Sequence, residues 1–319
     1  MTPFWVVSVI ATLIFLREAK SLLLPIALGV LLSYALEPVV AWLEHRRLPR
    51  WAGASLAMLG ALAIVIAGAY ALRDDLMNVV ETAPAALNRL RDLVRRELGY
   101  PIGDGEIAPQ MQQAAAAIFA LSGHVVVVFF LIFFLLLSGH QVRDRFVEVI
   151  GRGDGQRHTI AKIVNDISLQ VQRYLLVLLF TAGIVALATW TVLAWMGVEH
   201  AAMWGLLAGI FNSIPYFGPV IVSGGLFVVG LMQGGGMNDA LRMSAAALVI
   251  TSLEGWLLTP PLMGKVERMS PLTVFLGLLL WTWLWGGWGT ILAVPMLAVI
   301  KTVADHVQQL KPLGRLMAP

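Results

Sequence analysis

The chain has 319 residues, 59% of them hydrophobic and 13% charged, with a formal net charge of +3 and no cysteine. Soluble domains carry about 25% charged residues, and a soluble fold of this length cannot cover so much apolar side chain, so lipid is its solvent. The basic balance does not signal nucleic acid, because Lys and Arg sit in short loops between apolar segments, where they orient helices, and the lack of cysteine removes disulfides and thiolate chemistry.

Met1 to Leu16 is apolar but lacks a basic leading stretch and a small-residue cleavage site, so it reads as a retained first helix. After Arg17-Glu18-Ala19-Lys20 comes a second apolar segment, Leu22 to Leu43, interrupted by Glu37-Pro38, and a third runs from Trp51 to Leu72. Residues 1–72 are thus expected to form three membrane helices. The basic link His45-Arg46-Arg47-Leu48-Pro49-Arg50 belongs in the cytoplasm by the positive-inside rule. The N-terminus follows it there if the first two segments each cross.

Residues 73–117 turn polar, with Leu72, Leu76, Val79, Ala83, Leu87, Leu90 and Val94 at the three- and four-residue spacing of an amphipathic helix, interrupted at Pro84. Parity makes this insert extracytoplasmic, either a partner helix, lid or oligomer contact, or a helical hairpin lying on the membrane. Tyr100 to Pro109 is a loop. Residues 118–138 form the fourth membrane helix. Residues 139–173 carry Arg143, Arg145, Arg152, Arg157 and Lys162 and return to the cytoplasm, with Ile160, Ile163, Val164, Ile167 and Val171 on one helical face. That face predicts an interfacial helix that turns into a fifth span, Tyr174 to Val198.

Residues 174–304 make the C-terminal core, and residues 305–319 a basic tail, placed in the cytoplasm by Lys311 and Arg315. Two uncharged stretches in the core, Ala201 to Met232 and Met269 to Ile300, exceed the roughly 20 helical residues that a bilayer crossing takes. Each is broken midway, the first at Asn212-Ser213-Ile214-Pro215-Tyr216-Phe217-Gly218-Pro219 and the second at Trp283-Leu284-Trp285-Gly286-Gly287-Trp288-Gly289. Non-helical backbone at membrane depth persists only where protein or a water-filled cavity satisfies its polar groups, as in transporter substrate sites. Each stretch can cross once as a kinked helix or re-enter as a hairpin. The fold class expected is an all-α polytopic membrane protein of about eight membrane helices, two of them discontinuous or re-entrant.

Between the breaks, Glu254 is the only formally charged residue between Arg242 and Lys265. An acid within a membrane helix costs roughly 2.5–3.5 kcal/mol on insertion scales and faces a cavity or a partner. It is expected to exchange a proton or hold a cation, or else to serve as a structural tie to Asn212 or a helix end. Thr259-Pro260-Pro261 is expected to end its helix abruptly. At the first break Pro215 and Pro219 lack N–H donors and Gly218 widens the backbone's freedom, so carbonyls near Phe211 and Asn212 are expected to lose their helical partners. Asn212, Ser213 and Tyr216 add side-chain polar groups there; the plainer reading is a packed proline kink. Trp285 and Trp288 form a gate at the second break, with Gly286, Gly287 and Gly289 letting helices approach, or else belong to an interfacial belt with Trp281 and Trp283. Ser270-Pro271 is a helix start. His124 is a packing residue or a proton relay, and Gln170 and Arg173 meet headgroups or substrate.

There is no G-x-x-x-x-G-K-[ST], no H-E-x-x-H and no G-x-S-x-G, and the histidines lack ligand spacing. Neither enzyme chemistry, nor a metal, nor a cofactor is expected. Phe211 to Pro219, Leu253-Glu254-Gly255-Trp256-Leu257-Leu258-Thr259-Pro260-Pro261-Leu262-Met263-Gly264 and Leu292-Ala293-Val294-Pro295-Met296 resemble the AI-2E transporter family of bacterial membrane proteins. Leu36-Glu37-Pro38-Val39 is similar to its Asn-Pro element, with Glu37 in place of asparagine. The resemblance implies homo-oligomers and export of small molecules such as autoinducer-2, and some members of the family are sodium (lithium)/proton antiporters. The expectation is a secondary transporter of the bacterial inner membrane with both termini cytoplasmic. It exports a small polar solute with H+ or Na+ coupling; a Na+(Li+)/H+ antiporter is the alternative.

Overall fold

The computed structural model describes residues 2–74, 122–150, 154–232, 236–263 and 269–318. The amphipathic insert, apart from its first residues, the Gly234-Gly235 link, the His124 side chain, and Gly264, Lys265 and Arg268 lie outside the described residues.

Every regular element among the described residues is helical. The first half holds α1 (Thr2–Glu18), α2 (Lys20–His45), α3 (Arg50–Ala71), α4 (Ser122–Ile150) and α5 (Asp154–Trp195). Then follow α6 (Ala201–Phe211), α7 (Phe217–Met232), α8 (Gly236–Leu253), a π turn at Glu254–Leu258, α9 (Thr259–Met263), α10 (Pro271–Trp285) and α11 (Gly287–His306). A 3-10 turn at Gln308–Leu310 and α12 (Lys311–Leu316) close the chain. Among the described residues five helices are long and apolar enough to cross a membrane, and Val126–Ser138, α6, α7 and α10 are shorter apolar segments. Large apolar side chains such as Ile64, Val65 and Trp195 stand exposed, as lipid-facing residues do.

Helix continuity exceeds the sequence reading in three places. Ala19, at φ −80 and ψ 9, is the single residue between α1 and α2, and one near-helical residue bends a chain without reversing it. The expected pair of separate crossings is a bent rod, and a cytoplasmic N-terminus no longer follows from it. The fourth helix runs on to Ile150 rather than stopping at Ser138. The helix expected before the fifth span runs into it without a break; α5 is one helix of 42 residues, about 63 Å long at 1.5 Å per residue and twice a hydrocarbon core of about 30 Å.

The chain packs as two units, whose boundaries fall within α3 and α5, at the start of α4 and at the end of α9. One contains α1, α2, the first half of α3, α4, the start of α5, and α10 to α12. Its cores gather Leu31, Val171, Leu278, Trp281, Leu284 and Leu292, and separately Val40, Ala54, Met58, Ile132 and Leu136. Arg50, counted above only as a loop charge, clamps three helices there. Its guanidinium donates to Glu37 at 2.7 Å and Glu44 at 3.1 Å, and its Nε donates to the Leu136 carbonyl at 2.8 Å. This gathers the basic link before α3 and the charged end of α4 at one end of the unit, as the charge rule requires. Along α5, Ser168 meets the Tyr34 hydroxyl at 3.0 Å and Gln170 accepts from the Thr302 hydroxyl of α11. Gln170 is therefore a tie between helices, while Arg173 is exposed.

The second unit contains residues 62–74 of the described chain, the apolar end of α5, and α6 to α9. Its core joins Val185 and Leu193 of α5, Met203, Trp204 and Ala208 of α6, Val222 and Leu226 of α7, and Met243 and Ala247 of α8.

Candidate functional site

The first break is the apex of a helical hairpin. A Cβ on Gly225 would stand 2.7 Å from the Trp204 ring, and one on Gly218 would stand 2.6 Å from the Phe211 carbonyl carbon. Those pairs run in opposite directions along α6 and α7, so the arms are antiparallel. The apex is turned by Tyr216, which takes φ 66, a left-handed conformation uncommon for a residue with a side chain. Its carbonyls are better satisfied than the prolines suggested. The Phe211 oxygen accepts from Ile214 N at 2.9 Å, Ile210 O from Ser213 N at 3.2 Å, and Ile214 O from Gly218 N at 2.9 Å. The expectation of a free Phe211 carbonyl is corrected: the chain tightens into turns of shorter bond spacing that reuse those acceptors. Asn212, Ser213 and Pro215 are half-buried and Tyr216 exposed.

Glu254 lies in the same unit. A Gly230 Cβ would stand 2.6 Å from Ala240 N, and from that contact α7 and α8 run antiparallel through the shared core of Val222, Leu226, Met243 and Ala247. Continuing this register carries Glu254 to the height of Tyr216. The acid is only 8% exposed, whereas Trp256 two residues on is 84% exposed. The Glu254 carboxylate accepts from the hydroxyl of Thr259, the first residue of α9, at 2.6 Å and not from Asn212.

The helix does not end at Thr259-Pro260-Pro261 as expected; it continues to Met263 by widening. Proline has no N–H and its ring clashes with the carbonyl four residues back. A π turn over Glu254–Leu258 relieves that clash, with Thr259 N–H reaching the Glu254 carbonyl five residues back. The Trp256 carbonyl then faces only Pro260 and Pro261 as α- or π-type donors, and neither has an N–H to give. The Gly255 carbonyl loses Thr259, which is committed to Glu254, and cannot be reached by Pro260. Two carbonyl oxygens thus go without helical donors beside a buried carboxylate and a hydroxyl. Of the carbonyls expected to lose helical partners, Phe211 regains a donor in a turn, and the Pro260-Pro261 pair removes helical donors from Gly255 and Trp256 as well. The signal in the sequence was the Pro260-Pro261 pair, read as a stop.

The second break belongs to the other unit and is also a hairpin apex. Gly277 of α10 meets Leu297 of α11, Trp281 meets Gly289, and the Thr282 and Thr290 hydroxyls bond at 2.8 Å. Both stretches therefore fold back as hairpins rather than running on as single kinked helices. Gly286 joins the arms at φ 67 and ψ −146, a conformation essentially reserved for glycine. Gly289 is needed because a Cβ there would overlap the Trp281 carbonyl; Gly287 has open space around it. Trp285 is buried against Trp281, with ring centroids 4.8 Å apart, and its Nε1–H donates to the Leu16 carbonyl at 2.9 Å. That bond makes Trp285 an anchor of α10 on α1. Trp288 is half-buried, and the exposed Trp283 carries Arg17 4.9 Å from its ring. Ser270 caps α10, its Oγ accepting from Thr273 N at 3.2 Å.

The AI-2E family transporter model matches residues 4–309. The chain is 28% identical over 315 residues to the AI-2 transport protein TqsA of Escherichia coli (strain K12), covering 91% of this chain and 88% of the relative. It is 23% identical over 340 residues to the "Putative transport protein YrrI" of Bacillus subtilis (strain 168), covering 97% and 90%. A 139-residue stretch is 34% identical to the "Putative transport protein YhhT" of Escherichia coli (strain K12), covering 42% and 40%. An all-helical membrane protein with apolar stretches broken where the family motif falls, the chain belongs to the AI-2E transporter family.

Proposed function

We propose that this permease is a secondary transporter that exports a small polar metabolite, an autoinducer-2-like signal or related solute, across the bacterial inner membrane. The observation that carries the reading is the buried Glu254 in its π turn, in the same compact unit as the Asn212-to-Tyr216 hairpin apex. An ionisable group within a membrane helix is a functional group by default, and the half-buried Asn212 and Ser213 offer a polar solute hydrogen-bonding groups. In this reading Pro215, Gly218 and Pro219 shape the tight apex that presents Asn212 and Ser213 to solute, Gly286, Gly287 and Gly289 shape the second hairpin, and Trp288 lines its approach. AI-2 is the solute in the TqsA relative's name, and it is carried here only as a solute class. The protein works as a homo-oligomer, with its basic link and tail cytoplasmic.

A second reading, a Na+(Li+)/H+ antiporter, is favoured by one feature: the Gly255 and Trp256 carbonyls, the Glu254 carboxylate and the Thr259 hydroxyl are the oxygen donors a hard cation takes. Sealed proteoliposomes containing only this protein separate the readings. Accumulation of autoinducer-2 against its gradient, lost in Glu254→Gln, supports export. Sodium-dependent proton movement without organic solute supports the antiporter, and no flux of either kind refutes both.

A further inference from the structure

We infer that His306 and Asp166 form a proton-operated latch between α11 and α5. His306 is the last residue of α11, and its ring meets an oxygen at each nitrogen. Nδ1 lies 2.8 Å from the Thr302 carbonyl oxygen and Nε2 lies 3.3 Å from Asp166 Oδ2. A neutral imidazole has one N–H and one lone pair. Either neutral tautomer therefore sets a lone pair against an oxygen, whereas the imidazolium donates to both.

The surrounding charges leave Asp166 as the ring's counter-ion. On α11, Lys301 pairs with Asp305 at 3.0 Å and reaches the Gly314 carbonyl of α12, and α12 itself carries Lys311 and Arg315. On α5 the neighbouring cations, Lys162 and Arg173, are exposed. Glu37 and Glu44 of α2 are held by Arg50, and α10 has no charged residue. One helical turn back, Thr302 and Gln170 continue the same antiparallel register (302 with 170, 306 with 166), joined by a bond without a titrating group. The seam thus has one tie that a proton controls and another that it does not. Loss of the proton leaves at most a neutral hydrogen bond to Asp166 while Thr302, one turn back, stays fastened to Gln170, so the last turn of α11 loosens against α5 as pH rises. The latch acts on the arm of the second hairpin and is independent of the solute and of Glu254.

The test is the distance between α5 and the tail. The full chain has no native cysteine, so spin labels at Leu169→Cys and Leu310→Cys report it directly by pulsed electron resonance in nanodiscs. Between about pH 5.5 and about pH 8.5, the range that brackets the charge change of histidine, the parent distribution is expected to lengthen and broaden. His306→Gln keeps one amide donor but cannot titrate, and its distribution should not move with pH. Asp166→Asn gives the neutral ring a donor at Nε2, and should stay short at the alkaline end. A parent distribution that is unchanged across this range, or a shift that persists in His306→Gln or in Asp166→Asn, overturns the latch.

Discussion

Gly218→Ala probes whether the first hairpin must be as tight as its geometry indicates. The added Cβ would lie 2.6 Å from the Phe211 carbonyl carbon, nearer still to its oxygen and 3.3 Å from Asn212 N. Carbon atoms rest against each other at about 3.5 Å, so the arms must part by about 1 Å. The obstacle is backbone, which has no rotamer to swing away. Overpacking of this kind costs about 1–3 kcal/mol, which at about 2–4 °C per kcal/mol for chains of comparable size lowers the melting temperature by on the order of 5 °C. The control is Gly224→Ala on the same helix, where nothing stands within 4 Å of the new Cβ and exchanging glycine for alanine favours the helix by about 1 kcal/mol. Both variants would be melted in detergent at one scan rate and reconstituted for flux. Gly218→Ala should melt below the parent and lose flux, because Asn212 and Ser213 ride on the displaced apex. Equal melting of the two variants with flux retained would show that the apex is not closed on Phe211, and the placement of the polar pair would fall with it.

Glu254→Gln should insert and melt like the parent while losing proton- or cation-coupled flux in proteoliposomes; full coupled flux removes the acid from the site. Thr259→Val removes the hydroxyl donated to that carboxylate and should lower coupled flux while leaving membrane insertion intact, and parental flux refutes the pairing. Arg50→Lys keeps the charge but loses the fork that spans Glu37, Glu44 and the Leu136 carbonyl; about 1–3 kcal/mol of stability should go, read as earlier melting, and parental melting refutes the clamp. Trp285→Phe leaves the Leu16 carbonyl without its indole donor and should cost about 1 kcal/mol, with flux less affected than by Glu254→Gln. If flux fails as badly, Trp285 does more than anchor α10.

The fold class was legible because lipid imposes a simple rule: apolar runs of sufficient length become helices, and the runs in this sequence are separated by charge. The breaks were legible too, since Pro215, Pro219 and Gly286 are residues that helices resist. Their direction was not. Whether a broken stretch crosses or returns depends on which glycines face which neighbours, and Gly218, Gly225 and Gly289 declare that only once the arms are side by side. The ends of helices misled for a different reason. Nothing punctuates Ala19 or Arg173 strongly enough to stop a helix, and the change from apolar to polar side chains there marks a change of surroundings, not of backbone. At the candidate site the acid stood out by its isolation, but its partner and the free carbonyls did not. Those follow from how the backbone accommodates Pro260 and Pro261, a choice between stopping and widening that neighbouring packing makes. Arg50 and Asp166 were hidden among charges whose local role was orientation, since pairing across helices leaves no periodic trace.

The widened turn before Pro260 has a mechanical consequence. An ordinary helix resists bending because tilting one half against the other stretches the bonds on the opening side. Between Gly236–Leu253 and Thr259–Met263 two of those bonds were never formed, because proline has nothing to contribute to them. The rod can flex at that joint without breaking anything, and the carboxylate of Glu254 sits on the joint itself, so even a small tilt re-aims it.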